Sequence, residues 1–299
     1  MHVISTRGLG KDKIEEILKE AKKFEADKDF TSVLKNKILA TLFYEPSTRT
    51  HFSFDSAMER LGGKTLGFAS SDTTSVKKGE TLTDTIKILS GYADCIVMRH
   101  PKEGAAKLAS EVSSVPVVNA GDGSHDHPTQ TLLDLYTVQK SFGKLEGLNV
   151  GICGDLRYGR TGRPLSIALS NYKVKINFIS PPQLSMDKGT IGLLKERGTE
   201  INEVMRIEDV IKELDVLYMT RIQRERFPTE EEYLKFKGAY VVNVEMMAKA
   251  SPDMIVMHPL PRVNEIAKEV DSDPRAKYFE QAQNGIPIRM AVLKKAMTE

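Results

Sequence analysis

Cysteine is scarce in this 299-residue chain: only Cys95 and Cys153 occur. Two thiols cannot furnish a four-cysteine zinc site, and nothing in their spacing suggests a disulfide framework. Both lie in apolar runs, Asp94-Cys95-Ile96-Val97-Met98 and Val150-Gly151-Ile152-Cys153, where packing as a small buried hydrophobe is the usual role of a free cysteine. An excess of one charge sign is missing too. Lys plus Arg is 43 against 41 Asp plus Glu, a net charge of +2. Nucleic-acid binders show a plain basic excess, so no nucleic acid is expected, and what matters is which arginines converge. No apolar stretch is long enough to span a bilayer, and Met1-His2-Val3-Ile4-Ser5-Thr6-Arg7 lacks the apolar region of a signal peptide. A soluble, cytoplasmic protein without a membrane partner is expected.

What is present is ordinary for a folded protein: 40% hydrophobic and 28% charged residues, over a length that suggests roughly two domains. Short β-branched runs read as strands at 38–43, 94–98, 116–119, 149–153, 174–179, 216–219, 240–244 and 254–257. Between them, helical spacing places Ile14, Ile17, Leu18 and Ala21 on one face, and Phe54, Ala57, Met58 and Leu61 on another. Gly62-Gly63 stops the second helix. A further helix runs from Pro128 to Phe142, and the stretch from Gly143 to Gly147 reads as a hinge between two α/β halves. The last helix covers Ile288 to Met297 after an Asn284-Gly285 turn. Near-continuous apolar strands separated by helices argue for parallel sheets covered on both faces. No internal repeat or low-complexity segment interrupts this order.

The strand ending at Phe43 leads through Tyr44-Glu45-Pro46 into Ser47-Thr48-Arg49-Thr50 and a helix. A helix start offers unpaired N–H donors and partial positive charge, and so binds anions. Three hydroxyls and a guanidinium add donors that can surround phosphate oxygens. An ordinary N-cap would explain Ser-Thr alone; the arginine and the strand–loop–helix order favour an anion site. Arg99 follows a strand, as ligand-binding residues of open α/β sheets do, although a lone arginine there is more often an ion-pair partner. The segment from Gly121 to Gln130 carries His125, His127 and two aspartates, but no further His/Cys cluster completes a metal shell. A hydrogen-bonding role for His127 and Gln130 is therefore expected, with no metal. After the strand ending at Cys153, Gly154-Asp155-Leu156-Arg157-Tyr158-Gly159-Arg160-Thr161 lacks the Gly-x-Gly-x-x-Gly fingerprint, which argues against a nucleotide-binding module. Arg221 follows another strand, and Met257-His258-Pro259-Leu260-Pro261-Arg262 another again, in a proline-bracketed turn.

Taken in order, these segments resemble the catalytic chains of the aspartate carbamoyltransferase family. The resemblance rests on 43–50, Lys77-Lys78-Gly79-Glu80, Met98-Arg99-His100-Pro101, His127-Pro128-Thr129-Gln130, 155–161, Thr220-Arg221-Ile222-Gln223 and His258-Pro259-Leu260-Pro261-Arg262, and covers essentially the whole chain. It implies two doubly wound parallel-sheet α/β domains joined by interdomain helices. Residues 1–129 with 285–299 would bind carbamoyl phosphate, and 130–284 would bind L-aspartate. The implied reaction is attack of the aspartate amine on the carbamoyl carbonyl, with loss of phosphate and no cofactor. Ser47, Thr48, Arg49 and Thr50 would hold the phosphate. Arg99, Thr50 and His127 would meet the carbonyl oxygen, and Gln130 the carbamoyl amide. Arg160 and Arg221, helped by Gln223, would bind the aspartate carboxylates, with Thr161 beside Arg160. The backbone of Leu260 and Pro261 would face the substrates. Ser75 and Lys78 match residues that reach in from a neighbouring chain, implying a homotrimer with shared sites, and a separate regulatory chain is a further possible partner. Two departures stand out: His51 follows Thr50 where many family members have arginine, and the polar loop from Ser70 to Lys78 is slightly shorter. The nearest rival, ornithine carbamoyltransferase, binds a side-chain cation that two arginines would repel, and typically has a cysteine where Pro259 stands.

Overall fold

The computed structural model describes residues 1–26, 28–70, 79–222, 229–236 and 238–299. They form two compact units, Met1–Leu133 with Asn284–Glu299, and Asp134–Gln283. Among the described residues no helix is long and apolar enough to cross a membrane.

The first unit contains β1 (Ile38–Phe43), β2 (Lys64–Phe68), β3 (Cys95–His100) and β4 (Val117–Asp122), with α1 (Thr6–Lys23), α2 (Thr48–Arg60), α3 (Leu82–Leu89) and α4 (Ala105–Val112). The strands pair in the order β2-β1-β3-β4, all parallel. Side chains alternate between the faces of a strand. Ala40 and Leu42 of β1 join Ile96 and Met98 of β3 in one apolar cluster with Ile86 of α3 and Ala105, Ala106 and Ala109 of α4. Thr41 and Phe43 point the other way, where the Phe43 ring lies 4.6 Å from that of His51 on α2. Helix α2 buries Phe54, Ala57 and Met58, the positions its apolar spacing selects. It ends at Gly62, whose φ of +82° suits glycine.

Helix α5 (Pro128–Phe142) carries the chain out of the first unit. The division falls inside this helix, after Leu133, rather than in the 143–147 stretch. The second unit holds β5 (Asn149–Cys153), β6 (Lys175–Ile179), β7 (Glu200–Val204), β8 (Val216–Met219) and β9 (Ile255–Met257). Their order is β7-β6-β5-β8-β9, again all parallel. Its helices are α6 (Gly162–Leu169), α7 (Lys188–Glu196), α8 (Glu230–Leu234), α9 (Val244–Lys249) and α10 (Tyr278–Gln283). The chain then returns as α11 (Gly285–Thr298), which packs on α1 and α2 of the first unit.

The parallel α/β architecture expected from the alternation is therefore present. One expected strand is not: 240–244 forms only a single bridge, Val242 to Ile266. Asn243 instead caps α9, accepting the Met246 N–H at 2.9 Å, while the Tyr240 hydroxyl donates to the Met205 carbonyl. Tyr240 and Val242 are buried beneath this loop, whereas Val241 and Val244 stay exposed, so the run pairs into no ladder. Two strands went unread, β2 and β7. Both are sheet edges with partly exposed faces, so their sequences lack the apolar continuity of interior strands. Cys95 and Cys153 are both buried and unpaired with each other. Burial pushes the Cys95 thiol up to about 12, which fits the packing role.

A Cβ built on Gly62 would lie 1.6 Å from the Thr31 carbonyl oxygen. Gly62→Ala should therefore destabilise the protein by about 2–4 kcal/mol, through the clash and the left-handed backbone together. Chemical denaturation would measure it; a loss below about 0.5 kcal/mol would show that the α2 terminus yields freely.

Candidate active site

In the first unit, β1, β3 and β4 are neighbours and run the same way, so the segments leaving their carboxyl ends emerge along one edge. Phe43 pairs with Arg99, and His100 with Asp122. This register brings the start of α2, Arg99 and the loop before α5 to adjacent positions. The strand order turns between β1 and β3, the kind of switch point where open α/β sheets bind ligands.

Ser47 stands at the N-cap of α2 but makes no side-chain capping hydrogen bond. The ordinary structural role of a serine here is thus not taken up. Thr48 and Arg49 are exposed and Thr50 is buried. Desolvation at the loop lowers the Arg49 pKa from its usual value, yet a guanidinium stays charged at neutral pH. Arg99 is held by Glu45: Nε donates to Oε1 at 2.6 Å, with both side chains mostly buried. This ion pair fixes the guanidinium plane at the strand end, and Glu45 is a residue to which the sequence reading gave no role.

His127 and Gln130 are both buried at the start of α5. Asp126 sets this segment. Its Oδ1 accepts the His127 N–H at 2.7 Å and the Thr6 hydroxyl at 2.9 Å, and Oδ2 accepts the Thr6 N–H at 2.8 Å. Burial raises the Asp126 pKa, and these hydrogen bonds oppose the rise. His125 lies with Nδ1 3.3 Å from Asp122 Oδ2. Among the described residues no group of three or more His, Cys, Asp and Glu side chains could hold a metal ion.

The second unit repeats the arrangement. Its neighbours β5, β8 and β9 send Arg160 and Thr161, Arg221, and Leu260 and Pro261 from the same kind of edge. Gly154, with φ +118°, lets the chain pass Thr220: a Cβ there would lie 2.4 Å from the Thr220 carbonyl oxygen. Buried Asp155 accepts the Tyr158 N–H at 2.9 Å and shapes the turn that carries Arg160. Arg160, Thr161 and Arg221 are all partly exposed. Ser75, Lys78 and Gln223 lie outside the described residues.

The turn after β9 is the most constrained segment of this edge. Leu260 has φ +53° and the Leu260–Pro261 bond is cis. A left-handed leucine costs about 1–2 kcal/mol, so neighbours must hold it. Leu260 N–H donates to His258 Nδ1 at 2.8 Å, and His258 Nε2 lies 2.8 Å from Glu265 Oε1. A backbone N–H only donates, so its partner Nδ1 bears the lone pair and Nε2 carries the proton given to Glu265. Glu265 Oε2 accepts the N–H groups of Val263 and Asn264 at 3.1 and 3.0 Å. Burial raises the Glu265 carboxyl, but the His258 hydrogen bond and the backbone donors outweigh it and hold its pKa below the usual carboxylate range. At the far end of the turn Arg262 pairs with Asp271 and donates to the Tyr278 hydroxyl at 3.0 Å. Glu265 was not singled out from sequence; its only signal is an acidic residue a few positions past the His-Pro-Leu-Pro run.

Each unit therefore presents donors and guanidinium groups on one sheet edge, a chemistry suited to small anions. Comparison with known proteins agrees. The family model "Aspartate/ornithine carbamoyltransferase, carbamoyl-P binding domain" matches residues 1–140, and "Aspartate/ornithine carbamoyltransferase, Asp/Orn binding domain" matches 146–296. The aspartate carbamoyltransferase catalytic subunit of Thermococcus kodakarensis is 56% identical over 294 residues, covering 97% of this chain and 95% of that one. The catalytic subunit of M. jannaschii aspartate transcarbamoylase superposes with a TM-score of 0.92 at 50% identity, over 99% of this chain and 98% of that one. Aspartate transcarbamoylase from Trypanosoma cruzi, solved with carbamoyl aspartate and phosphate, gives a TM-score of 0.93 at 35% identity, over 99% and 96%. With both halves matched in order and these relatives aligned end to end, the chain belongs to the aspartate/ornithine carbamoyltransferase family, alongside the aspartate carbamoyltransferase catalytic chains.

Proposed function

We propose that this chain transfers the carbamoyl group of carbamoyl phosphate to the amino group of L-aspartate, giving N-carbamoyl-L-aspartate and phosphate for pyrimidine biosynthesis in the cytoplasm. The observation that carries the reading is the pair of cationic strand edges, within a chain aligned end to end with aspartate carbamoyltransferases. The Trypanosoma cruzi relative was solved with carbamoyl phosphate and aspartate together, which supports the same two substrates here.

The first unit binds carbamoyl phosphate. The α2 start, Ser47, Thr48, Arg49 and Thr50, takes the phosphate, where helix N–H groups and a guanidinium balance its charge. Thr50, Arg99 and His127 donate to the carbamoyl oxygen, and Gln130 contacts the amide. The second unit binds aspartate: Arg160 and Arg221 take its two carboxylates, with Thr161 and Gln223 beside them, and the backbone of Leu260 and Pro261 meets the substrates. When the amine nitrogen bonds to the carbonyl carbon, the carbonyl electrons move to oxygen. Donors already aimed there stabilise that charge, and losing one typically costs about a hundredfold or more in rate. The intermediate collapses as the bond from carbon to the phosphate oxygen breaks, and the departing phosphate accepts the amine proton. No step calls for a cofactor.

The residues favour aspartate over ornithine as acceptor. Two guanidinium groups attract a second carboxylate and repel an ornithine side-chain ammonium, and Pro259 stands where ornithine enzymes typically carry cysteine. Ser75 and Lys78 complete a neighbouring chain's site, which makes the working form a homotrimer. The relatives' name, catalytic subunit, supports a separate regulatory chain as a further partner.

A steady-state assay with carbamoyl phosphate should therefore show product with aspartate and none with ornithine; the reverse would overturn the reading. Arg221→Ala should raise the KM for aspartate about 10- to 100-fold, the worth of a charge-assisted contact, and that for carbamoyl phosphate less than about threefold. Equal increases would remove Arg221 from the aspartate site. Mixing Lys78→Ala chains with Arg49→Ala chains should restore activity to species that sediment as trimers, because intact sites form between the two mutants. Inactive hybrids would rule out sites shared between chains.

A further inference from the structure

We propose that His258 and Glu265 are positioning residues for the aspartate half of the site: they hold the Leu260–Pro261 backbone in the shape that meets the second substrate. The inference rests on the carbamoyl-transfer reading and names a part of the machinery that touches no substrate. Three observations carry it. Leu260 lies in the left-handed region at φ +53°, where a leucine does not stay unless its surroundings fix it. Its N–H donates to His258 Nδ1 at 2.8 Å. The ring that supplies this acceptor has no freedom of its own: its side chain is fully buried, and Nε2 is engaged by Glu265 at 2.8 Å.

The support continues inward. The His258 N–H donates to Gln281 Oε1 at 2.8 Å, and Gln281 Nε2 donates to Asp134 Oδ1 at 2.6 Å. Asp134 Oδ2 accepts the Tyr218 hydroxyl at 2.9 Å. The histidine is thus tied to β8, α5 and α10 of its own unit, and the turn inherits their rigidity. A purely structural purpose would be met equally well by apolar packing, since burying a carboxylate with its hydrogen-bond partner adds little net stability. What apolar side chains cannot supply is an acceptor aimed at the Leu260 N–H.

Two isosteric changes separate the roles. In His258→Asn the amide oxygen stands where Nδ1 was, so the acceptor for Leu260 survives and the link to Glu265 is lost. In His258→Gln the terminal amide stands where Nε2 was, so the link survives and Leu260 loses its acceptor. Both full-length variants should be assayed beside the wild type, with melting temperatures measured for each. His258→Gln should lower kcat/KM for aspartate about 10- to 100-fold, with KM for carbamoyl phosphate within about threefold of wild type. His258→Asn should stay within about fivefold for aspartate, even if its melting temperature falls further. Equal losses in the two variants, in step with their melting temperatures, would overturn the proposal. Should His258→Gln fail to fold, Glu265→Ala carries the test, because it frees the histidine ring to turn Nδ1 away from Leu260. Hydrogen exchange at the Leu260 amide should quicken and KM for aspartate rise together; faster exchange with an unchanged KM would overturn the proposal. A wild type that carbamoylates no aspartate would remove the proposed function itself, whereas an active wild type with equal His258 variants would remove the positioning role alone.

Discussion

Parallel strand pairing is the constraint on which the rest of the molecule depends. Parallel strands must be joined by crossovers, and every crossover leaves from the same edge of the sheet. In each unit three neighbouring strands, β1, β3 and β4 or β5, β8 and β9, deliver their following loops to one place. Residues far apart in sequence become neighbours without any special device. Arg99 lies opposite Phe43, the last residue before the α2 loop, because the strand register requires it. Gathering positive charge and N–H donors at one edge also works against stability, since like charges repel. The chain counters this locally at Arg99, which Glu45 accompanies.

Much of this was legible in the residues, for identifiable reasons. Interior strands such as β1, β3 and β5 are buried on both faces, and their apolar runs announce them. The edge strands β2 and β7 are half exposed, so Lys64-Thr65-Leu66-Gly67-Phe68 and Glu200-Ile201-Asn202-Glu203-Val204 carry polar residues that hide the pattern. Tyr240 to Val244 shows the opposite error. Only Tyr240 and Val242 are buried while Val241 and Val244 face solvent, and Asn243 gives its side chain to a helix cap. The site divides in the same way. Arginines just past strands stand out because topology predicts ligands there. Glu45, Asp126 and Glu265 do not, because each acts through a neighbour whose position only the folded chain fixes.

Those three carboxylates share a logic. Each is mostly buried, and each accepts hydrogen bonds from the segment it steadies: Arg99 Nε for Glu45, Thr6 and the His127 N–H for Asp126, His258 and two backbone N–H groups for Glu265. Burying a carboxylate is unfavourable unless its oxygens are engaged. Once engaged, it becomes a rigid multi-point acceptor, because any movement of the segment leaves a buried charge unsatisfied. The penalty that makes such groups poor contributors to net stability makes them effective at fixing geometry.

That distinction bears on the proposed carbamoyl transfer. Its donors must already be aimed at the oxygen that becomes negative, because reorganising them during the reaction would cost much of what they contribute. Flexible arginine side chains on loops are poor candidates for such aim by themselves. Here Glu45 holds Arg99, and Asp126 holds the His127 segment. The Leu260–Pro261 turn presents backbone, which cannot be re-aimed by a rotamer change; its only adjustable quantities are φ and ψ. A left-handed leucine is therefore informative. Glycine would take that conformation freely, but would also leave it freely. Leucine held by His258 adopts it only while the clamp is intact, so the turn is either correctly shaped or released. A backbone contact to substrate built on this residue is preorganised by the same hydrogen bonds that fix the histidine tautomer.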